Sequence, residues 1–86
     1  MAKRVLIVDD DPALRRILEE TIKRMGFETK TTGSGESAVM MLEGSERDDI
    51  SLVLLDLVMP GMDGMAVLDK LAGKTGIPPI IVQTAN

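Results

Sequence analysis

Residues 5–12 read VLIVDDDP: four apolar residues, three of them β-branched, run directly into Asp9, Asp10 and Asp11. A short, uninterrupted apolar run of this kind is the pattern of a strand covered on both faces, as in a parallel sheet flanked by helices. Three adjacent carboxylates at its end repel one another, so a positive partner is expected there. Asp11 and Pro12 read as a helix N-cap followed by proline at the first helical position. Leu14, Ile17, Leu18, Ile22 and Met25 then recur at helical spacing as far as Gly26.

Strand and helix patterns go on alternating downstream. Phe27 to Thr31 alternates in the manner of an edge strand, and Thr32 to Gly35 is turn chemistry. A second helix carries Ala38, Val39, Met41 and Leu42 and ends near Gly44, and the polar stretch SERDD, residues 45–49, reads as a solvated loop. Leu52 to Leu55 is a second fully apolar run, and it too ends on an aspartate, Asp56. After the turn-forming segment MPGMDG, residues 59–64, a third helix carries Val67, Leu68 and Leu71. IPP then leads into a last apolar run, Ile80 to Val82. The order βαβαβαβ, without linker or internal repeat, predicts one α/β domain with a mainly parallel sheet and right-handed crossovers.

Composition limits the chemistry. A chain of 86 residues makes one small domain that buries only roughly 60 to 65% of its unfolded surface, so stability is marginal. With one Phe, no Trp, no Tyr and seven Met, its core is aliphatic. The absence of Cys and His removes disulfides, thiolate zinc sites and the usual general base, leaving only oxygen ligands for a metal. A net charge of −4, with no basic run, argues against direct contact with nucleic acid. The apolar run behind MAKR is too short for a signal peptide or a membrane span, and the chain reads as a soluble cytosolic protein.

In open parallel α/β sheets, ligands collect beyond the carboxyl ends of the strands. If the strands ending at Asp9 and Asp56 are neighbours, Asp9, Asp10 and Asp56 converge on one pocket whose natural partner is a hard divalent cation. Mg²⁺ suits one or two carboxylates plus water and a phosphate oxygen, whereas Ca²⁺ wants more ligands and no EF-hand loop is present. A single aspartate at a strand end could merely cap the following loop. Two strand ends with the same device, together with the MPGMDG turn, argue for a site. Asp11 and Asp63 read as caps rather than ligands, and the methionines at 40, 41, 59, 62 and 65 as core or loop packing.

VLIVDDDP, LVLLDLVMPGMDG and PPIIVQTA together resemble the receiver domain of two-component response regulators over residues 4–86. VQTAN is similar to receivers attached to sigma-54-dependent transcriptional activators. The resemblance implies a flavodoxin-like open sheet in strand order 2-1-3-4, with the chain, residues 1–86, an incomplete receiver lacking a fifth strand and the last two helices. It implies that Asp56 is the phosphoacceptor, taking a phosphoryl group from a sensor histidine kinase or a small donor such as acetyl phosphate. It implies Mg²⁺ held by Asp9, Asp10, Asp56 and the backbone carbonyl of Val58, whose side chain is therefore free to vary. Thr84 would be the switch hydroxyl, Ala85 would leave space beside the phosphate, Pro60 and Gly61 would shape the turn behind Asp56, and Gly64 would admit a backbone conformation that a Cβ would oppose. Such a module is a self-modifying signalling domain rather than a metabolic enzyme. The lysine that receivers carry on the fifth strand has no counterpart here, since Lys70 and Lys74 belong to the third helix and its following loop.

Three other readings compete. No Gly-rich phosphate loop follows the first strand, which disfavours a nucleotide- or flavin-binding module. An aspartyl phosphohydrolase typically has a second aspartate two residues after the nucleophile, where Val58 stands. A degenerate or truncated receiver serving only as an interaction or dimerisation module is disfavoured by the intact acidic set but stays open because the fifth strand and last two helices are missing. The consecutive apolar residues Ile80, Ile81 and Val82 expect cover on both faces, so an uncovered fourth strand predicts self-association through its edge or cover by a further C-terminal segment.

Overall fold

The computed structural model describes residues 3–59 and 61–83. Four strands, β1 (Arg4–Val8), β2 (Glu28–Thr32), β3 (Ile50–Asp56) and β4 (Ile80–Gln83), form one parallel sheet in the order β2-β1-β3-β4. The helices α1 (Pro12–Arg24), α2 (Gly35–Glu43) and α3 (Gly64–Leu71) make the connections. This is the expected order, and the strand sequence turns at β1, whose neighbours are β2 and β3. The SERDD stretch is a 3-10 turn, Ser45–Asp49, rather than an irregular loop. None of its residues is buried, as expected of a solvated connection.

The two faces of the sheet differ. Side chains alternate across a strand, and Leu6, Val8, Val53 and Leu55 pack with Ala38, Val39 and Leu42 of α2 and Val67 and Leu71 of α3 into the main core. Val5 and Ile7 point the other way and are also buried. On that side α1 packs against β1 and β2. Its cover is thin: no residue of α1 is buried, and Ile17, placed by periodicity on the apolar face, is 59% exposed. A 13-residue helix on a two-strand ledge has too little surface beneath it to shield its flanks. Met25, Met40 and Met65 are likewise exposed, so of the five methionines read as packing, Met40 and Met65 are corrections, while Met59, Met41 and Met62 join the core.

Beyond the reach of α1, the same face of β3 and β4 is open among the described residues. Leu52 and Leu54 are half-buried, and Ile81, the register partner of Leu54, is 51% exposed. Val82, on the opposite face, is also largely exposed. No helix among the described residues is long and apolar enough to cross a membrane.

Local signals were legible. Asp11 caps α1, its side chain accepting from the N–H groups of Ala13 and Leu14, and Asp63 caps α3 through the N–H of Ala66. Gly26 ends α1 in the left-handed region that other residues avoid, at φ 94°. Gly64 leaves no room for a Cβ, and the reason is space. Its backbone conformation is ordinary, and glycine is required because a Cβ would lie 2.5 Å from the Asp56 carbonyl oxygen and 2.6 Å from the Leu57 Cα.

Candidate metal and phosphoacceptor site

The parallel register builds the site. Val8 is paired with Leu55, and one residue further each strand carries its aspartate, Asp9 and Asp56. Two adjacent parallel strands ending at the same level therefore deliver two carboxylates side by side, and Asp10 follows on the outgoing loop. One carboxylate oxygen from each of Asp9, Asp10 and Asp56 lies within 4.8 Å of the others. Asp9 and Asp56 are buried, at 1% and 6% exposure, and Asp10 is the most open of the three.

Each buried aspartate is tied down on one side and free on the other. Asp56 Oδ1 accepts the N–H of Val58 at 3.0 Å, while its second oxygen accepts no hydrogen bond among the described residues. Asp9 Oδ1 accepts the N–H of Asp11 at 2.9 Å, and its Oδ2 is buried with no partner. Around Asp9 the backbone is held as well: its N–H donates to the Thr32 carbonyl at 3.1 Å, and its own carbonyl accepts from Arg15 Nη1 at 2.9 Å. The loop after β3 is pinned at its root, with Leu57 N–H donating to Gln83 O and Gly64 N–H to Leu57 O.

Burial raises the Asp9 carboxyl above its ordinary range, the Asp11 N–H opposes this, and the charges of Asp56, Asp10 and Asp11 reinforce it. Among the described residues no Lys or Arg forms an ion pair with any of the three carboxylates. Lys74 pairs instead with Glu43. An unpaired buried acceptor costs on the order of 1 to 3 kcal/mol or more. The orphaned Asp9 Oδ2 beside two further carboxylates is the donor set a hard, oxygen-seeking divalent cation satisfies, so the residues present fit Mg²⁺.

Of the residues singled out from sequence, Asp9, Asp10 and Asp56 are brought together. Val58 sits two residues past Asp56 with its side chain 66% exposed, as a position without a side-chain role would be. Gly61 occupies the turn at φ 73°. Thr84, Ala85 and Pro60 lie outside the described residues. Arg15 was not singled out, although a signal existed: a basic residue in the first turn stands at the positive end of the helix, where a cation is disfavoured unless it has a local partner.

The parallel sheet with helices on both faces and an acidic cluster at the carboxyl ends of its first and third strands is a flavodoxin-like receiver fold. The family model for the response regulator receiver domain matches residues 5–86, and the chain belongs to that family. It is 40% identical to the DNA-binding response regulator MtrA of Mycolicibacterium smegmatis over 86 residues, covering 100% of this chain and 36% of that protein. It is 38% identical to the transcriptional activator protein PfeR of Pseudomonas aeruginosa over 79 residues, covering 92% of this chain and 25% of that one. The chain thus spans about a third or less of the curated relatives it matches. Among solved structures, the response regulator TrrA of Thermotoga maritima in complex with Mg²⁺ and BeF superposes with a TM-score of 0.84 at 36% identity, over 98% of this chain and 70% of that chain. TrrA in complex with the histidine kinase ThkA gives a TM-score of 0.83, over 96% and 69%.

Proposed function

We propose that this chain is a Mg²⁺-dependent phosphoacceptor: Asp56 takes a phosphoryl group from the phosphohistidine of a sensor kinase in the cytoplasm. The transferred charge alters the output of a longer transcription regulator. The observation that carries this reading is the buried, unpartnered Asp9 Oδ2 within a three-carboxylate cluster that includes Asp56. TrrA, the neighbour at 36% identity with Mg²⁺ and BeF bound, and its complex with a histidine kinase support it.

The residues divide the work. Val58 N–H holds Asp56 Oδ1, which leaves the second oxygen to attack phosphorus in line. The new O–P bond forms as the donor's N–P bond breaks, and the electron pair leaves with the imidazole. Asp9 and Asp10, with Asp56 and the Val58 carbonyl, would hold Mg²⁺, which supplies the positive charge that lets a phosphoryl group approach three carboxylates. Thr84, next after Gln83, would supply the switch hydroxyl. Burial of Asp56 keeps water from competing with its carboxylate for the phosphoryl group.

Incubation of the full chain with acetyl phosphate and Mg²⁺, followed by intact-mass measurement, tests the proposal. The expected result is one added phosphoryl group, absent in Asp56→Asn and absent with EDTA. No mass gain in the wild-type protein would overturn it.

A further inference from the structure

Arg15 lies outside the acidic set yet is bonded to its frame. Its Nη1 donates to the Asp9 carbonyl at 2.9 Å, and it is half-buried, whereas its neighbour Arg16 is exposed and reaches only Glu20 on the next helical turn. The Asp9 carbonyl belongs to the peptide linking Asp9 to Asp10. A peptide is planar, so fixing that oxygen fixes the plane from which both aspartates project. With the Asp9 N–H bound to Thr32 O and its Oδ1 bound to Asp11 N–H, the Arg15 bond closes the frame and leaves Oδ2 as the polar atom of Asp9 without a partner among the described residues.

Gly33, on the loop after β2, makes this frame specific. A Cβ at Gly33 would stand 2.6 Å from Arg15 Nη1 and 3.8 Å from the Asp9 carbonyl oxygen. The guanidinium thus points Nη1 at a residue without a side chain, and a Cβ there displaces it while leaving the Asp9 carbonyl in ordinary contact. The Gly33 backbone is not in the left-handed region, so nothing in its conformation calls for glycine. The close approach of Arg15 means that a Cβ there moves the guanidinium away.

We propose that Arg15, seated on Gly33, is a positioning residue that orients Asp9 and Asp10 for the divalent cation by holding the carbonyl between them. The inference rests on the metal reading of the proposed function. Arg15 does not touch the cation; it acts through the backbone, in the manner of groups beyond the ligands that set metal affinity in other proteins. It also resolves the placement of a cation at the positive end of α1, because the Asp9 carbonyl and the carboxylates beyond it supply the compensating charge.

The test is Mn²⁺ affinity of the full chain, read from loss of the free-ion EPR signal, with circular dichroism to confirm folding. Gly33→Ala keeps the arginine's charge and removes only its seat. It is expected to weaken Mn²⁺ binding about five-fold, less than for an outer partner bonded directly to a ligand group. In the Arg15→Gln background the same Gly33→Ala change is expected to shift affinity less than about two-fold, since groups acting through one contact are not additive. Wild-type affinity in Gly33→Ala, or an equal loss in both backgrounds, would overturn the inference while leaving the metal reading intact. A wild-type chain that binds no Mn²⁺ would overturn both. Gly33→Ala decides the matter alone if Arg15→Gln does not fold.

Discussion

Neutralising Asp9 is expected to stabilise the metal-free protein while abolishing its response to Mg²⁺. The carboxylate is buried, and one of its oxygens lies within 4.8 Å of an oxygen from each of Asp10 and Asp56. At that separation two unit charges repel by about 3.5 kcal/mol at an effective dielectric of 20 and about 0.9 kcal/mol in water. With the pair to the open Asp10 screened as in water and the pair to the buried Asp56 at the higher value, the two together are worth about 4 kcal/mol. Asp9→Asn removes both. It keeps an acceptor for the Asp11 N–H, at a loss of about 1 kcal/mol for a bond no longer charge-assisted, and it relieves the burial of a charge. The net expectation is a gain of about 3 kcal/mol, or about 12 to 24 °C in melting temperature for a domain of this size.

The assay is thermal or urea unfolding by circular dichroism in EDTA, since the chain has no Trp or Tyr to report by fluorescence. The pH dependence carries the sign. A carboxyl raised in the folded state stabilises the fold when protonated, so the wild-type contribution is present below the ordinary value of 3.8 and is lost as pH rises through the raised folded value. The gap between Asp9→Asn and wild type therefore closes near pH 4 and opens toward pH 7. Saturating Mg²⁺ acts oppositely, stabilising the wild type by about 1.4 kcal/mol at ten times its dissociation constant and leaving Asp9→Asn unmoved. An Asp9→Asn protein less stable than wild type in EDTA at pH 7, or a gap independent of pH, would refute the reasoning.

Three other outcomes follow from the geometry. Gly64→Ala forces a Cβ against the Asp56 carbonyl and the Leu57 Cα, and is expected to cost about 1 to 3 kcal/mol in urea unfolding and to slow phosphorylation by acetyl phosphate. Asp11→Ala removes the α1 cap and is expected to cost about 1 kcal/mol, with Mn²⁺ affinity within about two-fold of wild type because Asp11 donates only its backbone N–H to Asp9. Ile81→Lys places a charge on the open face of β4, and sedimentation at micromolar concentration is expected to show weaker self-association than wild type, as an apolar edge strand blunted by lysine would.

Much of this protein is local. The apolar runs ending at Asp9 and Asp56, the caps Asp11 and Asp63 and the glycine stop after α1 follow from side-chain period, capping chemistry and backbone freedom, each of which acts within a few residues of chain. The residue types alone, oxygen ligands without His or Cys, limited the cation to a hard one. Other features depend on distant partners. Gly64 looked like a conformational glycine, and only the return of the chain past Asp56 shows that the constraint is space. Ile17 has the spacing of a core residue, yet it lies exposed because how far a helix is covered depends on the width of sheet beneath it. Arg15 reads as one more charged helix residue until β2 brings Gly33 beneath its guanidinium. Sequence by itself determined which carboxylates stand at strand ends. That Asp9, Asp10 and Asp56 meet within 4.8 Å was decided by the parallel register of β1 on β3, because side-by-side strands bring together aspartates 46 or more residues apart that no local rule connects.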